Sequence, residues 1–122
     1  MIRIQRAYEP PVSDGSRVIL VDRLWPRGVR KSALKLDAWL KDVAPSTELR
    51  QWFGHDPEKW SEFRRRYTRE LEKNPIALAP LLAAAAAGDV TLLYSAHDAE
   101  HNQAVILKEF LDAMVSDRVG HR

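Results

Sequence analysis

The sequence predicts a single α/β domain of three layers, with a small, mostly parallel sheet flanked by helices. Two short runs, Arg17-Val18-Ile19-Leu20-Val21-Asp22 and Asp89-Val90-Thr91-Leu92-Leu93-Tyr94, are continuously apolar rather than alternating, as strands buried on both faces are. Segments of helical periodicity with recognisable caps lie between and after them. A chain of 122 residues is long enough for one core and too short for two, so residues 1–122 are read as one domain, with residues 116–122 a fraying tail.

Taken in order, Ile2 and Ile4 alternate with Arg3 and Gln5, which predicts a strand over residues 2–8 with one wet face. Pro10, Pro11, Ser13, Asp14, Gly15 and Ser16 form a turn cluster leading into the strand at residues 17–22. Arg23-Leu24-Trp25-Pro26-Arg27-Gly28 then breaks regular structure and is read as a loop. Between residues 32 and 43 the apolar positions fit either period, and a strand near 36–41 is preferred. Ser46 as N-cap, Glu48 in the first turn and Gly54 as terminator bound a short helix. Asp56-Pro57-Glu58 opens a longer one, whose Trp60, Phe63, Tyr67 and Leu71 fall on one face. Pro80 would break a helix interior, so residues 74–79 are expected to turn before a helix that ends at Gly88. After the strand at 89–94, Ser95-Ala96-His97 is an exit loop, and Asp98 is expected to cap a final helix reaching about Val115.

Composition removes several function classes. Hydrophobic residues at 45% and charged residues at 30% describe a folded globular chain rather than a disordered one. With no cysteine there are no disulfides, thiolate metal sites or cysteine nucleophiles. A net charge of +2 is too small to mark a nucleic-acid binder by bulk charge. No apolar run approaches a membrane span and the N-terminus lacks a signal-peptide core, so the expected location is cytoplasmic. Phosphate-binding P-loop, dinucleotide-binding and nucleophile-elbow motifs are all missing from the sequence.

Ligands of open α/β sheets bind beyond the carboxyl ends of the strands. The two buried-type strands lead into loops carrying Asp22, Arg23, Trp25, Arg27 and Gly28 on one side, and Ser95, His97, Asp98, His101 and Asn102 on the other. If the strands are parallel neighbours, these loops share one edge. Arg23, Arg27, Arg30, Lys31 and Lys35 place five cations within thirteen residues, and guanidinium forks suit phosphate or carboxylate. The plainer alternative is an exposed basic loop, or Arg23 paired with Asp22 or another carboxylate. Trp25 is more readily a packing plug than a stacking surface. Asp98 and His101 could manage a proton and Asn102 could orient a ligand, although Asp98 is equally explained as a cap. His97 and His101 have i, i+4 spacing, but no third ligand follows in sequence and no metal site is assigned. Arg64, Arg65, Arg66 and Arg69 fan around a helix among Glu62, Glu70 and Glu72, the pattern of a solvated face.

Asp22-Arg23-Leu24-Trp25-Pro26-Arg27-Gly28, Ala44-Pro45-Ser46, Trp52-Phe53-Gly54-His55-Asp56-Pro57 and Leu93-Tyr94-Ser95-Ala96-His97-Asp98 with His101-Asn102 together resemble the YeaO-like proteins, small bacterial proteins of unknown function. The resemblance covers nearly the whole chain in order. It implies an α/β domain with Arg23, Trp25, Arg27, His55, Asp56, Asp98, His101 and Asn102 at the positions of the family's polar signature, and it brings no known activity. His97 departs from the family pattern, where a lysine is common.

Two functional readings result. In the first, the protein is a small-molecule enzyme or ligand-binding domain for a phosphate- or carboxylate-bearing ligand, with Asp98 and His101 as catalytic candidates and Arg23, Trp25, Arg27, Asn102 and His55 as ligand-binding candidates. In the second, it is a nucleic-acid-binding or regulatory module using the basic loop and the arginine-rich helix.

Overall fold

A computed structural model describes residues 1–10 and 13–120. Pro11 of the turn cluster and residues 121–122 of the expected tail lie outside the described residues. Four strands, β1 (Ile2–Arg6), β2 (Arg17–Leu20), β3 (Ala38–Trp39) and β4 (Val90–Tyr94), form one sheet in the order β1-β4-β2-β3. Every pairing is parallel, and β4 sits between β1 and β2, with Ile2 opposite Val90 on one side and Arg17 opposite Val90 on the other. The two runs read as doubly buried strands are therefore the two central strands. Every residue of β4 is buried.

Four α-helices, α1 (Thr47–Phe53), α2 (Trp60–Glu72), α3 (Pro75–Ala87) and α4 (Gln103–Gly120), contribute their apolar faces to one core. Ile2, Ile19, Val21, Val90, Leu92 and Tyr94 project into it from the sheet. The alternate positions Val18, Leu20 and Leu93 face the opposite way, where Trp25, Leu34, Leu36 and Trp39 cover them. The third layer is thus the loop that follows β2, carrying a single 3-10 turn at Lys31–Ala33 instead of an α-helix.

The local grammar explains most boundaries. Ser46 Oγ accepts from the Leu49 amide at 3.2 Å to start α1, and Gly54 ends it with φ 55°, a left-handed conformation that only glycine adopts without strain. Asp56 caps a 3-10 turn at Pro57–Lys59 through the Glu58 amide, and α2 continues directly from it. β3 is shorter than the expected 36–41. Its ladder is extended by Asp37 and Leu40, whose amides donate to Val18 and Leu20 carbonyls at 2.8 and 2.9 Å.

Two helix starts differ from expectation. No turn separates residues 74–79 from the helix, because α3 is continuous from Pro75. Pro75 occupies the first helical position, where its missing N–H costs nothing. Pro80 forfeits only the bond to the Ile76 carbonyl, and both residues lie on the exposed side, where water can take that carbonyl. The final helix begins at Gln103, not Asp98, and extends to Gly120, beyond Val115. Its cap is Asn102, whose Oδ1 accepts from the Ala104 and Val105 amides at 3.0 and 3.2 Å. Asp98 instead closes a turn of its own, accepting from the Glu100 and His101 amides at 2.8 and 3.0 Å. Among the described residues, no helix is long and apolar enough to cross a membrane.

Candidate functional site

β2 and β4 run parallel and adjacent, so the loops leaving their carboxyl ends meet, and a cavity of about 690 Å³ opens between them. All seven sequence-predicted site residues, Arg23, Trp25, Arg27, His55, Asp98, His101 and Asn102, contribute to its lining. They do not contribute alike. Half-buried Arg23 spends Nε and Nη2 on the Pro45 and Ala44 carbonyls, each at 3.2 Å, which ties the β2 exit to the start of α1. Its partners are carbonyls, not Asp22 or another carboxylate. Arg27 is exposed at the rim.

Trp25 behaves as a plug: its ring meets Trp39 edge-on at 5.3 Å, and its indole N–H donates to the Val29 carbonyl at 2.6 Å. Asn102 is 2% exposed, and besides capping α4 it donates Nδ2 to the Asp98 carbonyl at 2.9 Å. Its amide is therefore engaged in shaping the loop and the start of α4. His55 is exposed and has φ 58°, immediately after left-handed Gly54.

Asp98 and His101 form a pair, with Nδ1 2.9 Å from Asp98 Oδ2 and the imidazole edge-on to Trp60 at 5.2 Å. The amides of Glu100 and His101, followed by the His101 ring, hold the Asp98 carboxyl below the usual carboxylate range. A depressed acid adds stability that is present above its unfolded pKa and lost as pH falls through the folded value. The stability difference between wild type and Asp98→Asn is therefore expected to be largest near neutral pH and to close in acid. Urea midpoints measured across that range check this, and a difference independent of pH would contradict it.

Sequence reasoning put Asp22 and Ser95 on the right loops but missed how they are used, and it missed Arg50 and Gln103 altogether. Asp22 is only 7% exposed. Its Oδ2 accepts from both the Ser95 amide (2.8 Å) and the Ser95 hydroxyl, and its Oδ1 from the Gln103 side chain. Burial raises its pKa, while these donors and the nearby Arg50 charge oppose the rise. The network joins the β2 exit, the β4 exit and α4.

Arg50 lies in the cavity wall, half-buried, and its guanidinium has no hydrogen-bond partner among the described residues. The available signal was its spacing. Phe53 is a core residue three positions later on the same short helix, so Arg50 shares its inward side.

On α2 three of the four arginines are matched, and exposed Arg69 has no side-chain partner among the described residues. Arg65 and Arg66 both bind Glu62, each at 2.7 Å, and Arg64 binds Glu109. Arg66 and Arg64 also lie over the Trp52 and Trp60 rings at 4.3 and 5.4 Å. This is the solvated, ion-paired helix face that the interspersed glutamates predicted. His97 and His101 turn to different partners, since His97 Nδ1 accepts from Arg6 Nη2 at 3.1 Å. Among the described residues, no three His, Cys, Asp or Glu side chains converge in a way that could hold a metal ion.

Comparison with known proteins finds relatives that match over nearly the whole chain. The chain is 42% identical to Uncharacterized protein YeaO of Escherichia coli over 114 residues, which cover 93% of this chain and 98% of that protein. It is 39% identical to Uncharacterized protein Rv3073c of Mycobacterium tuberculosis over 111 residues, 91% of this chain and 93% of the relative. No solved structure matches it. The match to a described family runs over residues 1–121, and with these relatives it shows that the chain belongs to the family described as the Inactive DUF488-N3 subclade.

Proposed function

We propose that the protein is a binding domain for a small anionic molecule, bearing phosphate or carboxylate, held in the cavity beyond β2 and β4. The observation that carries this is Arg50. A half-buried guanidinium with no hydrogen-bond partner among the described residues has lost part of its hydration without replacement, and an oxyanion in the cavity would supply it. Arg27 at the rim and the remaining donors of Arg23 add positive potential to the same wall. The family description, which carries the word inactive, favours binding over turnover.

Turnover is a second reading, favoured by one specific feature. Asp98 on Nδ1 would hold the His101 tautomer that leaves Nε2 able to exchange a proton. Product release from any bound ester would move this reading ahead. The nucleic-acid reading has less support, because Arg64, Arg65 and Arg66 of α2 are already engaged by Glu109 and Glu62, which leaves Arg69 alone of the four without a partner among the described residues.

Thermal denaturation at fixed salt, with inorganic phosphate, sugar phosphates and dicarboxylates, tests the proposal. A ligand present at a hundred times its Kd should stabilise the protein by about 2.7 kcal/mol. That shift is expected to vanish in Arg50→Gln and to survive in Arg65→Ala. No shift from any of these anions, or one indifferent to Arg50, would overturn the proposal. A shift produced only by oligonucleotides and lost in Arg65→Ala would put the interaction module in its place.

A further inference from the structure

We infer that the anion held in this cavity is carried on a planar ring, as in a nucleoside monophosphate or an aryl carboxylate, with Arg50 binding the anionic end and His55 stacking on the ring. The inference rests on the anion-site reading above and adds the chemistry of the rest of the ligand. Size is the first argument. At about 690 Å³ the cavity falls within the range of sites that enclose whole organic ligands, and a bare phosphate would leave most of it empty.

The second argument is the polar inventory. A hydroxyl-rich ligand needs free donors and acceptors along the wall. Here Asp22, Ser95 and Gln103 are bonded to one another, and the Asn102 amide is committed to its loop and helix. Beyond the cationic side chains, Gln51 and the imidazoles, much of the remaining wall is apolar and aromatic surface. Phe53 and Phe63, stacked with centroids 4.1 Å apart, both contribute to the lining.

The third is backbone strain at His55. Gly54 already makes the left-handed turn that ends α1, yet the next residue also has a positive φ of 58° and is not glycine. An L-residue there is disfavoured, and strain of this kind collects at functional sites. The ring of His55 makes no hydrogen bond among the described residues, and it lies at the cavity with its centroid 6.4 Å from that of Phe53. One short stretch of chain thus delivers a guanidinium, an aromatic wall and an exposed planar ring to the same opening. An anion joined to an aromatic system matches all three.

Calorimetric titration of the full chain with five probes separates the possibilities: inorganic phosphate, ribose 5-phosphate, adenosine 5′-monophosphate, adenosine and 1-naphthoate. The ring-bearing anions are expected to bind about tenfold or more tighter than the ringless phosphates, the factor that one aromatic stack supplies. His55→Gly, which relaxes the backbone and should melt no lower than wild type, is expected to erase that advantage and leave inorganic phosphate affinity unchanged. Arg50→Gln is expected to weaken every anion.

The preference between adenosine 5′-monophosphate and 1-naphthoate identifies which source of the shared chemistry the site takes, and either one supports the inference. Ribose 5-phosphate binding as tightly as adenosine 5′-monophosphate would overturn the ring and spare the anion site. So would loss of inorganic phosphate affinity in His55→Gly. Adenosine binding as tightly as its monophosphate would overturn the anion site itself, and no binding by any probe would overturn both.

Discussion

Phe63→Ala is expected to destabilise the protein by about 3–5 kcal/mol, the range for deleting a buried aromatic ring. Phe63 is 2% exposed and stands where α1 and α2 meet. Its ring stacks on Phe53 at 4.1 Å and lies 5.9 Å from Trp60 and 6.0 Å from Tyr67. Truncation leaves a void that Phe53 can fill only by leaving the face of α1 that also positions Arg50. Affinity for the proposed anionic ligand should therefore fall in the fraction that remains folded. Urea unfolding would show a lower midpoint at an unchanged slope. Phe63→Leu, which keeps most of the volume, should cost clearly less. A loss below about 1 kcal/mol for the alanine variant would mean that the α1–α2 seam closes over the gap.

Asp22→Ala is expected to cost about 2–4 kcal/mol, since it strips acceptors from two or three buried donors at once. The Ser95 amide cannot turn away, whereas the Ser95 hydroxyl and the Gln103 side chain can rotate toward the cavity, which limits the loss. The cost should depend on pH with a definite sign. Burial raises the Asp22 pKa, so the charged carboxylate weighs against the folded state at neutral pH, and that penalty is relieved as pH falls through the folded value. The difference between wild type and variant should accordingly grow on mild acidification, opposite to the behaviour expected of Asp98→Asn. Denaturation midpoints at neutral and mildly acidic pH check both signs together, and a difference that shrinks in acid would show that hydrogen bonds, not burial, dominate at Asp22.

The central strands were readable in the sequence because a strand buried on both faces must be apolar at every position, a pattern few other elements share. The caps at Ser46 and Asp56 were readable for a similar reason, since each stands beside a second signal, Glu48 in one case and Pro57 in the other. The start of α4 was not. Asp98 and Asn102 are both good caps four residues apart, and only the tertiary position of the loop decides which one caps the helix. Pro80 misled because a proline's effect depends on whether the orphaned carbonyl faces water, which a linear pattern does not show.

At the site, parallel pairing of β2 and β4 was enough to bring the two loops together, and the expected residues followed. Arg50 was hidden because an arginine inside a short helix normally faces solvent. Its inward turn becomes visible only once Leu49 and Phe53 are seen to be buried.

The strand order also has a temporal meaning. β1 and β2 never touch one another, because β4, which pairs with both, lies between them. As the chain leaves the ribosome, its first two strands have no neighbour to close on except the two-residue β3, and the strand that completes them arrives only at Val90–Tyr94. Until then the edges of β1 and β2 that β4 will cover stay open, and the contacts that finally satisfy them span most of the chain. Assembly of this sheet is a late, nearly all-or-none event, and the interval before it is when the chain is most exposed to association with other chains.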